Sequence, residues 1–198
     1  MKKLFLLSAL ALVALAAAAT TATAASLQAS PGGAITATSL GKLSFVAGEV
    51  RIECNLTMRG NLLTTAISKT AGTKMGEITS VTWANCVGGE VAAVLSLPWT
   101  LAYRSISGTL PEAVSAVNFT INNSSFQLST FGGFVNCLYA GNSEASQALT
   151  HREGAVYTSG LVRSLENALT LREGGFGCPE TGRMRGTFSQ TAQTITRS

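Results

Sequence analysis

Few side chains in this 198-residue chain are of a type that performs acid, base or nucleophilic chemistry. All ten acidic residues are glutamates, and His151 is the only histidine. Without aspartate there is no Ser-His-Asp triad and no Asp-rich calcium loop, and a single histidine excludes a two-His zinc site. A Ser-His-Glu arrangement stays open, with Glu153 two residues from His151 and Ser159 as the nucleophile. Because no Gly-x-Ser-x-Gly turn marks that serine, we expect His151 to be an ordinary exposed residue at a strand end.

Pairs of glutamates point to a second reaction, hydrolysis of a glycosidic bond. Carboxyl groups about 5 to 9.5 Å apart would supply the acid and the base or nucleophile, and Glu49 with Glu53 or Glu153 with Glu173 are candidate pairs. Ten glutamates produce such pairs by chance, and two Trp and three Tyr are few for a sugar cleft. The sequence therefore predicts a non-enzymatic protein with no catalytic residue, metal or cofactor. A small glycosidase-like hydrolase that uses Glu residues is the alternative.

The four cysteines are Cys54, Cys86, Cys137 and Cys178. No two of them have the close spacing of a structural zinc site, and an even number in an exported protein predicts disulfides. Of the three possible pairings we favour Cys54 with Cys86 and Cys137 with Cys178, because elements near in the chain are usually neighbours in space. Loop-closure entropy gives each such bridge about 3.5 to 4 kcal/mol.

Residues 1–25 have the three-part order of a secretory signal peptide: Lys2 and Lys3, an apolar run over 4–19, and small residues at the cleavage site. The apolar run is short for a bilayer about 30 Å thick, which disfavours a membrane anchor. We therefore expect a protein exported through the general secretory route, secreted or extracellular, with no stable membrane span. Its formal net charge falls from +4 to +2 when both lysines are removed. That charge forms no basic run, so no nucleic-acid partner is expected.

Beyond the signal, residues 26–38 are small and polar around Pro31-Gly32-Gly33, a composition that predicts a flexible leader before a domain over 39–198. Within that domain apolar residues recur at every second position, the pattern of strands with one dry face. Pro98 interrupts the segment from Val91 to Tyr103, so we expect an edge strand or two strands broken near Leu97-Pro98. The clearest alternating positions are Val50, Ile52, Cys54, Leu56 and Met58, then Val117, Phe119 and Ile121, and then Val135, Cys137 and Tyr139.

Turn residues separate these strands, and sustained helical spacing is absent. Only Ser143–Ala148 and Leu161–Leu169 could form a short helical turn or two. The chain is therefore predicted to be an all-β, antiparallel β-sandwich, Ig-like or jelly-roll-like, with two disulfides. The predicted turns are Gly88-Gly89, Gly108 with Pro111, Asn122-Asn123, Gly132-Gly133, Gly141-Asn142 and Gly175-Phe176-Gly177.

The segment Ala148–Gly154 is echoed twenty residues later by Ala168–Gly174, with six of seven positions identical. Two copies are too few for a solenoid. We interpret them as two strands that end in similar Arg-Glu-Gly turns; a duplicated ligand clamp is the alternative.

A binding role needs less special chemistry than catalysis, because loops of a β-sandwich can present a recognition surface without any particular residue type. Trp83, Tyr139 and Tyr157 could anchor such a surface, although a Trp on a strand more often packs in the core. Exposed strand edges offer another route, by strand addition to a partner or to a second copy. The expected partner is an unknown extracellular or cell-surface one, with self-association through edge strands as a further route.

Six segments of the sequence carry a resemblance to known proteins: 54–60, 78–86, 97–99, 107–111, 136–139 and Cys178-Pro179. In these segments the chain resembles a group of uncharacterised exported proteins of soil actinobacteria with four cysteines and a β-rich body. It is more remotely similar to secreted proteins described as activators of alkane oxidation. The resemblance implies a secreted or cell-surface accessory role, and it brings no catalytic residue to this chain.

Overall fold

The computed structural model describes residues 27–30, 32–63, 67–108, 115–152 and 156–197, without the side chains of 27, 29–30, 150–168 and 192–197. The predicted signal peptide lies outside the described residues. A 3-10 turn covers Phe131–Gly133. The strands are β1 (Leu27–Ser30), β2 (Gly33–Ser39), β3 (Leu43–Ala47), β4 (Val50–Leu62), β5 (Lys74–Val87), β6 (Glu90–Leu95), β7 (Trp99–Ser107), β8 (Ala116–Thr130), β9 (Val135–Arg152), β10 (Val156–Gly174) and β11 (Thr181–Arg197).

One antiparallel sheet contains all eleven of these strands. Its order is β1-β11-β10-β9-β8-β7-β5-β4-β2, and an additional pairing, with Phe188 of β11 opposite Ser39 of β2, closes the sheet on itself. β2 and β3 both lie between β4 and β11, so they are two halves of one interrupted strand. β6 and β7 both pair with β8 in the same way.

The closed sheet packs two layers around one core. Phe45 of β3 and Phe126 of β8 are not on neighbouring strands, yet their rings meet edge-on with centroids 6.0 Å apart. Phe45 also lies 5.0 Å from the Tyr139 ring on β9. The all-β antiparallel class and the two disulfides are therefore confirmed. The largest fully buried side chains include Tyr139, Phe126, Phe188, Leu43, Ile52 and Leu56.

The alternation of apolar and polar residues explains why these segments are strands. On β4 the predicted dry face, from Ile52 through Cys54 and Leu56 to Met58, is buried, while its polar neighbours are partly or fully exposed. The break predicted near Leu97-Pro98 is also confirmed, because β6 ends at Leu95 and β7 begins at Trp99. Pro98 lies between them after a cis peptide bond, and its missing N–H keeps it out of a ladder.

The prediction of a flexible leader over residues 26–38 needs correction. β1 pairs with the far part of β11, and β2 pairs with β4 from Gly33 to Thr38. Ile35 and Ala37 are only 8% exposed and belong to the core. The small residues there reflect a strand that carries few large side chains.

The short helical turns predicted at Ser143–Ala148 and Leu161–Leu169 are wrong: these segments lie within β9 and β10. The turns predicted at Asn122-Asn123 and Gly141-Asn142 are wrong as well. Both lie inside paired strands, where the β8–β9 ladder has an irregularity and Asn123 has a φ of 61°. The backbone N–H of Asn123 donates to the Asn142 side chain at 3.1 Å, so these turn-forming residues bend the two strands together.

Both copies of the repeated segment lie at the end of a strand, but the Arg-Glu-Gly turn expected in the second copy is wrong, because Arg172, Glu173 and Gly174 belong to β10. The first copy runs to the end of β9 at Arg152, and the second runs to the end of β10 at Gly174. Because these neighbouring strands are antiparallel, the two copies lie toward opposite ends of the sheet. The Glu153 and Gly154 positions are outside the described residues.

Candidate functional site

Both predicted disulfides are present. Cys54 of β4 is bonded to Cys86 of β5, and Cys137 of β9 is bonded to Cys178 in the connection after β10. The first bridge joins two strands that already pair. The second joins an irregular connection, 175–180, to the sheet, so it contributes more to the position of that connection.

Four connections between strands meet at one end of the closed sheet: 48–49, 88–89, 131–134 and 175–180. A methyl group placed on Gly48 would lie 3.1 Å from the Pro179 ring, and one on Gly177 would lie 3.4 Å from the Val135 side chain. A methyl group on Gly89 would lie 2.7 Å from the Ser129 carbonyl. We call this set of four connections the aromatic end.

Three phenylalanines on the aromatic end point away from the core. Phe131 is 74% exposed, Phe134 is 91% exposed and Phe176 is fully exposed. Solvated aromatic rings on adjacent connections are unusual on a soluble surface and typically mark a site of interaction. Val87, 57% exposed, lies beside the 88–89 connection and enlarges the apolar surface.

Hydrogen bonds hold the connections that carry these rings. In the 131–134 connection, the Asn136 side chain donates to the Gly133 carbonyl at 2.8 Å. In the 175–180 connection, the Cys178 N–H donates to the Gly175 carbonyl at 3.2 Å. The Tyr139 hydroxyl donates to the Pro179 carbonyl at 2.8 Å. The aromatic rings are therefore presented from fixed backbone, which reduces the entropy lost on binding.

The aromatic end covers a small apolar cavity that cannot enclose a ligand. Its lining includes Phe45, Leu128, Val135 and Pro179, and its volume is about 10 Å³. That volume is roughly what one water molecule needs. An apolar ligand therefore cannot enter this cavity.

The charge of the aromatic end is negative. Its four connections contain Glu49 and Glu180 and no lysine or arginine. On the strand that leads into 175–180, exposed Glu173 is next to exposed Arg172, so this pair adds no net charge. Anionic headgroups would be repelled from this surface, whereas an uncharged apolar phase would not.

The described residues do not bring the groups of either catalytic hypothesis into a reactive arrangement. The side chains of His151 and Ser159 and the whole of Glu153 lie outside them, so the Ser-His-Glu arrangement stays a prediction. Of the candidate pair Glu49 and Glu53, Glu49 is exposed in the turn before β4, and Glu53 on β4 accepts hydrogen bonds from Arg51 at 2.6 and 3.0 Å. Across the described ranges, no three His, Cys or Glu side chains are grouped to hold a metal ion.

Ser124 and Ser143 form a buried hydroxyl pair that sequence analysis did not single out. Their oxygens lie 3.1 Å apart, and Ser124 donates its proton to the Gly141 carbonyl at 2.9 Å. A hydroxyl that already donates to the main chain is not prepared for attack, so this pair stabilises the irregular part of β8 and β9.

The aromatic anchors predicted from sequence are not the exposed ones. Tyr139 is only 1% exposed, and half-buried Trp83 packs on Phe126 with centroids 5.9 Å apart. The Tyr157 side chain is outside the described residues. The exposed rings had their own signal in the sequence, since Phe131, Phe134 and Phe176 are each next to glycine in predicted turns, where no strand face can bury them.

A comparison with protein families matches residues 1–160 to the family described as alkane oxidation protein activator PraA/PraB-like. The chain belongs to this family. The PraA/PraB-like match includes Phe131 and Phe134 and ends before Phe176 and Cys178. It confirms the resemblance to alkane-oxidation activators, while an origin in soil actinobacteria stays a prediction. No curated protein and no solved structure matches the chain.

Membership of the PraA/PraB-like family indicates an activator or accessory protein rather than a hydrolase. Two disulfides are typical of proteins outside the reducing cytosol. In the parts of the chain that the structure describes, no helix is long and apolar enough to cross a membrane.

The Tyr139 phenol under the aromatic end makes stability depend on alkaline pH. Burial raises its pKa above the ordinary value of 10.0, so the folded state holds the proton more tightly than the unfolded state. This contribution to stability is complete below about pH 10 and is lost as pH rises from there through the folded pKa.

We expect urea unfolding to show a decline in stability above pH 10 that is smaller in Tyr139→Phe. That variant should already be about 1 kcal/mol less stable at pH 8, because its hydrogen bond to Pro179 is gone. Equal pH profiles for both proteins would contradict this assignment.

Proposed function

We propose that this protein is an exported, non-enzymatic accessory protein that promotes alkane oxidation by adsorbing to hydrocarbon surfaces through its aromatic end. The observation that carries the proposal is the exposure of Phe131, Phe134 and Phe176 on two neighbouring connections. The family description supplies the alkane context. The cavity beneath the aromatic end is too small for an alkane molecule, so the contact proposed at this end is with its outer surface.

The size of the apolar contribution fits such a role. Transfer of a Phe side chain out of water is worth about 1.5 to 3 kcal/mol, so three rings give about 4.5 to 9 kcal/mol before the cost of immobilisation. Dissociation constants from millimolar to micromolar correspond to about 4 to 8 kcal/mol. Because the cost of immobilisation lowers the net value below this range, adsorption of a single copy should be weak and reversible.

The negative charge of the aromatic end supports an uncharged target. Glu49 and Glu180 would face anionic lipid headgroups without a basic residue in the same connections. Hexadecane droplets should therefore bind the protein more strongly than phosphatidylglycerol vesicles of equal surface area.

Adsorption to hexadecane droplets tests the proposal directly. Purified mature protein is mixed with droplets, and the protein left in the water phase is measured over a range of droplet area. Phe134→Ser and Phe176→Ser should each weaken adsorption about tenfold, the effect of losing about 1.4 kcal/mol.

The matched control is Leu63→Ser, which removes a 38% exposed side chain just after the far end of β4. It should adsorb like the unchanged protein. Equal loss in all three variants, or none in the Phe variants, would overturn the proposal. So would hydrolysis of a glycan substrate that a single Glu→Gln change abolishes.

A further inference from the structure

The β5–β6 hairpin contains a stretch in which its two strands do not pair. The turn Gly88-Gly89 joins β5 to β6. The earlier part of β5 pairs with β7, the strand after β6, and this ladder ends with Ile78 opposite Trp99. The register of that ladder, carried along β5 to the turn, places Val87 opposite Glu90. A regular hairpin would therefore pair 82–87 with β6. Among the described residues, however, β6 pairs only with β8.

Local geometry keeps the two strands apart. Asn85 has a φ of 53°, a left-handed conformation that interrupts the extended line of β5 where the β4–β5 ladder is irregular, and Ser96, directly after β6, has a φ of 60°. Trp83 turns its ring onto Phe126 of β8. The Leu95 carbonyl accepts a hydrogen bond from the Trp99 indole at 2.9 Å. As a result, residues 79–87 form a strand edge that pairs with β4 on one side and with no described strand on the other.

This edge, 79–87, lacks the features that natural proteins use to block an edge strand. It contains no charged residue and no proline over nine positions, whereas lysine, proline and inward charges are the usual protection. Its polar side chains Thr79, Ser80 and Thr82 are short and exposed, and so is Ala84. Another strand can therefore approach the edge closely.

We propose that the extended part of this edge, 79–84, binds the same residues of a second copy of this chain, with the two strands antiparallel about a two-fold axis. Self-pairing brings each residue type against its own kind, so a charged edge would repel its copy and an uncharged edge does not. Pairing uses the free side of both strands and stops at a dimer.

The test is sedimentation equilibrium of the mature protein over a wide concentration range, with one variant in the edge and one elsewhere. Thr82→Lys puts like charges into the centre of the proposed contact and should weaken dimerisation at least tenfold. Thr38→Lys is the matched control, because exposed Thr38 lies on β2 opposite both Thr57 and Ser189. It should dimerise like the unchanged protein.

Hydrogen exchange locates the contact independently. Amides in 79–84 should exchange more slowly as the dimer fraction rises, and those of 131–134 should not change. Circular dichroism checks that Thr82→Lys is folded, and Ser80→Lys replaces it if it is not.

A protein that stays monomeric at all concentrations would overturn the proposal, as would equal weakening by Thr38→Lys or protection that rises only in 131–134. The outcome is independent of the proposed function, because Phe134→Ser and Phe176→Ser should leave the dimer intact.

Discussion

The double variant Cys137→Ala/Cys178→Ala should unfold with a free energy about 4 kcal/mol lower than that of the intact protein. The bridge spans 41 residues in sequence, and closing a loop of that length in the unfolded chain accounts for about 3.9 kcal/mol of entropy. For a domain of this size the loss corresponds to a fall of about 8 to 16 °C in the melting temperature. Urea unfolding and differential scanning calorimetry measure the two quantities.

This variant should also lose adsorption to hexadecane, because Cys178 fixes the connection that carries Phe176. Cys54→Ala/Cys86→Ala is the control: its bridge spans 32 residues, so the expected stability loss is similar, about 3.7 kcal/mol. It joins strands that already pair and should leave adsorption unchanged at temperatures where the variant is folded. Equal losses of adsorption in both variants would show that the second bridge has no special role at the aromatic end.

Replacing Phe45 by alanine should cost about 3 to 5 kcal/mol, the usual effect of removing a buried Phe. Phe45 is 3% exposed and contacts the rings of Phe126 and Tyr139, so its loss opens the centre of the packed layers. Phe134→Ala is the same substitution at a 91% exposed position and should change stability by no more than about 0.5 kcal/mol. Chemical unfolding of both variants measures the difference.

Gly182 provides a second test of the packing around Phe45. A methyl group on Gly182 would lie 2.4 Å from Cζ of the Phe45 ring, so Gly182→Ala should cost about 1 to 3 kcal/mol by overpacking. Combined with Phe45→Ala, the added methyl enters the vacated volume, and the two losses should sum to more than the loss in the double variant. Strict additivity would show that the two positions do not share this space.

The strands and disulfides were predictable because they depend on local pattern. The period of two from Val50 to Met58 fixed which face of β4 is dry, and once Cys54 was placed on that face a bridge to a neighbouring strand followed. The break at Pro98 was equally local, since a residue without an N–H cannot continue a ladder.

Closure of the sheet and the position of the aromatic end were not predictable in this way. Pairing of β2 with β11 joins residues about 150 positions apart, and no local pattern encodes such a contact. The same long-range pairing turned residues 33–38 from an expected leader into a core strand. The exposure of Phe131 and Phe176 depends on which turns share one end of the sheet, which follows only from the complete strand order.

The path of β11 has a practical consequence. It begins at Thr181, next to the aromatic end, and runs to Arg197, which pairs with Leu27. Seventeen strand residues cover about 55 Å at roughly 3.3 Å each. A biotin label or resin linkage introduced beside Leu27 or Arg197 would therefore attach the molecule at the end opposite the aromatic end. Immobilised in that orientation, every copy on a sensor chip would expose its three phenylalanines to an applied hydrocarbon.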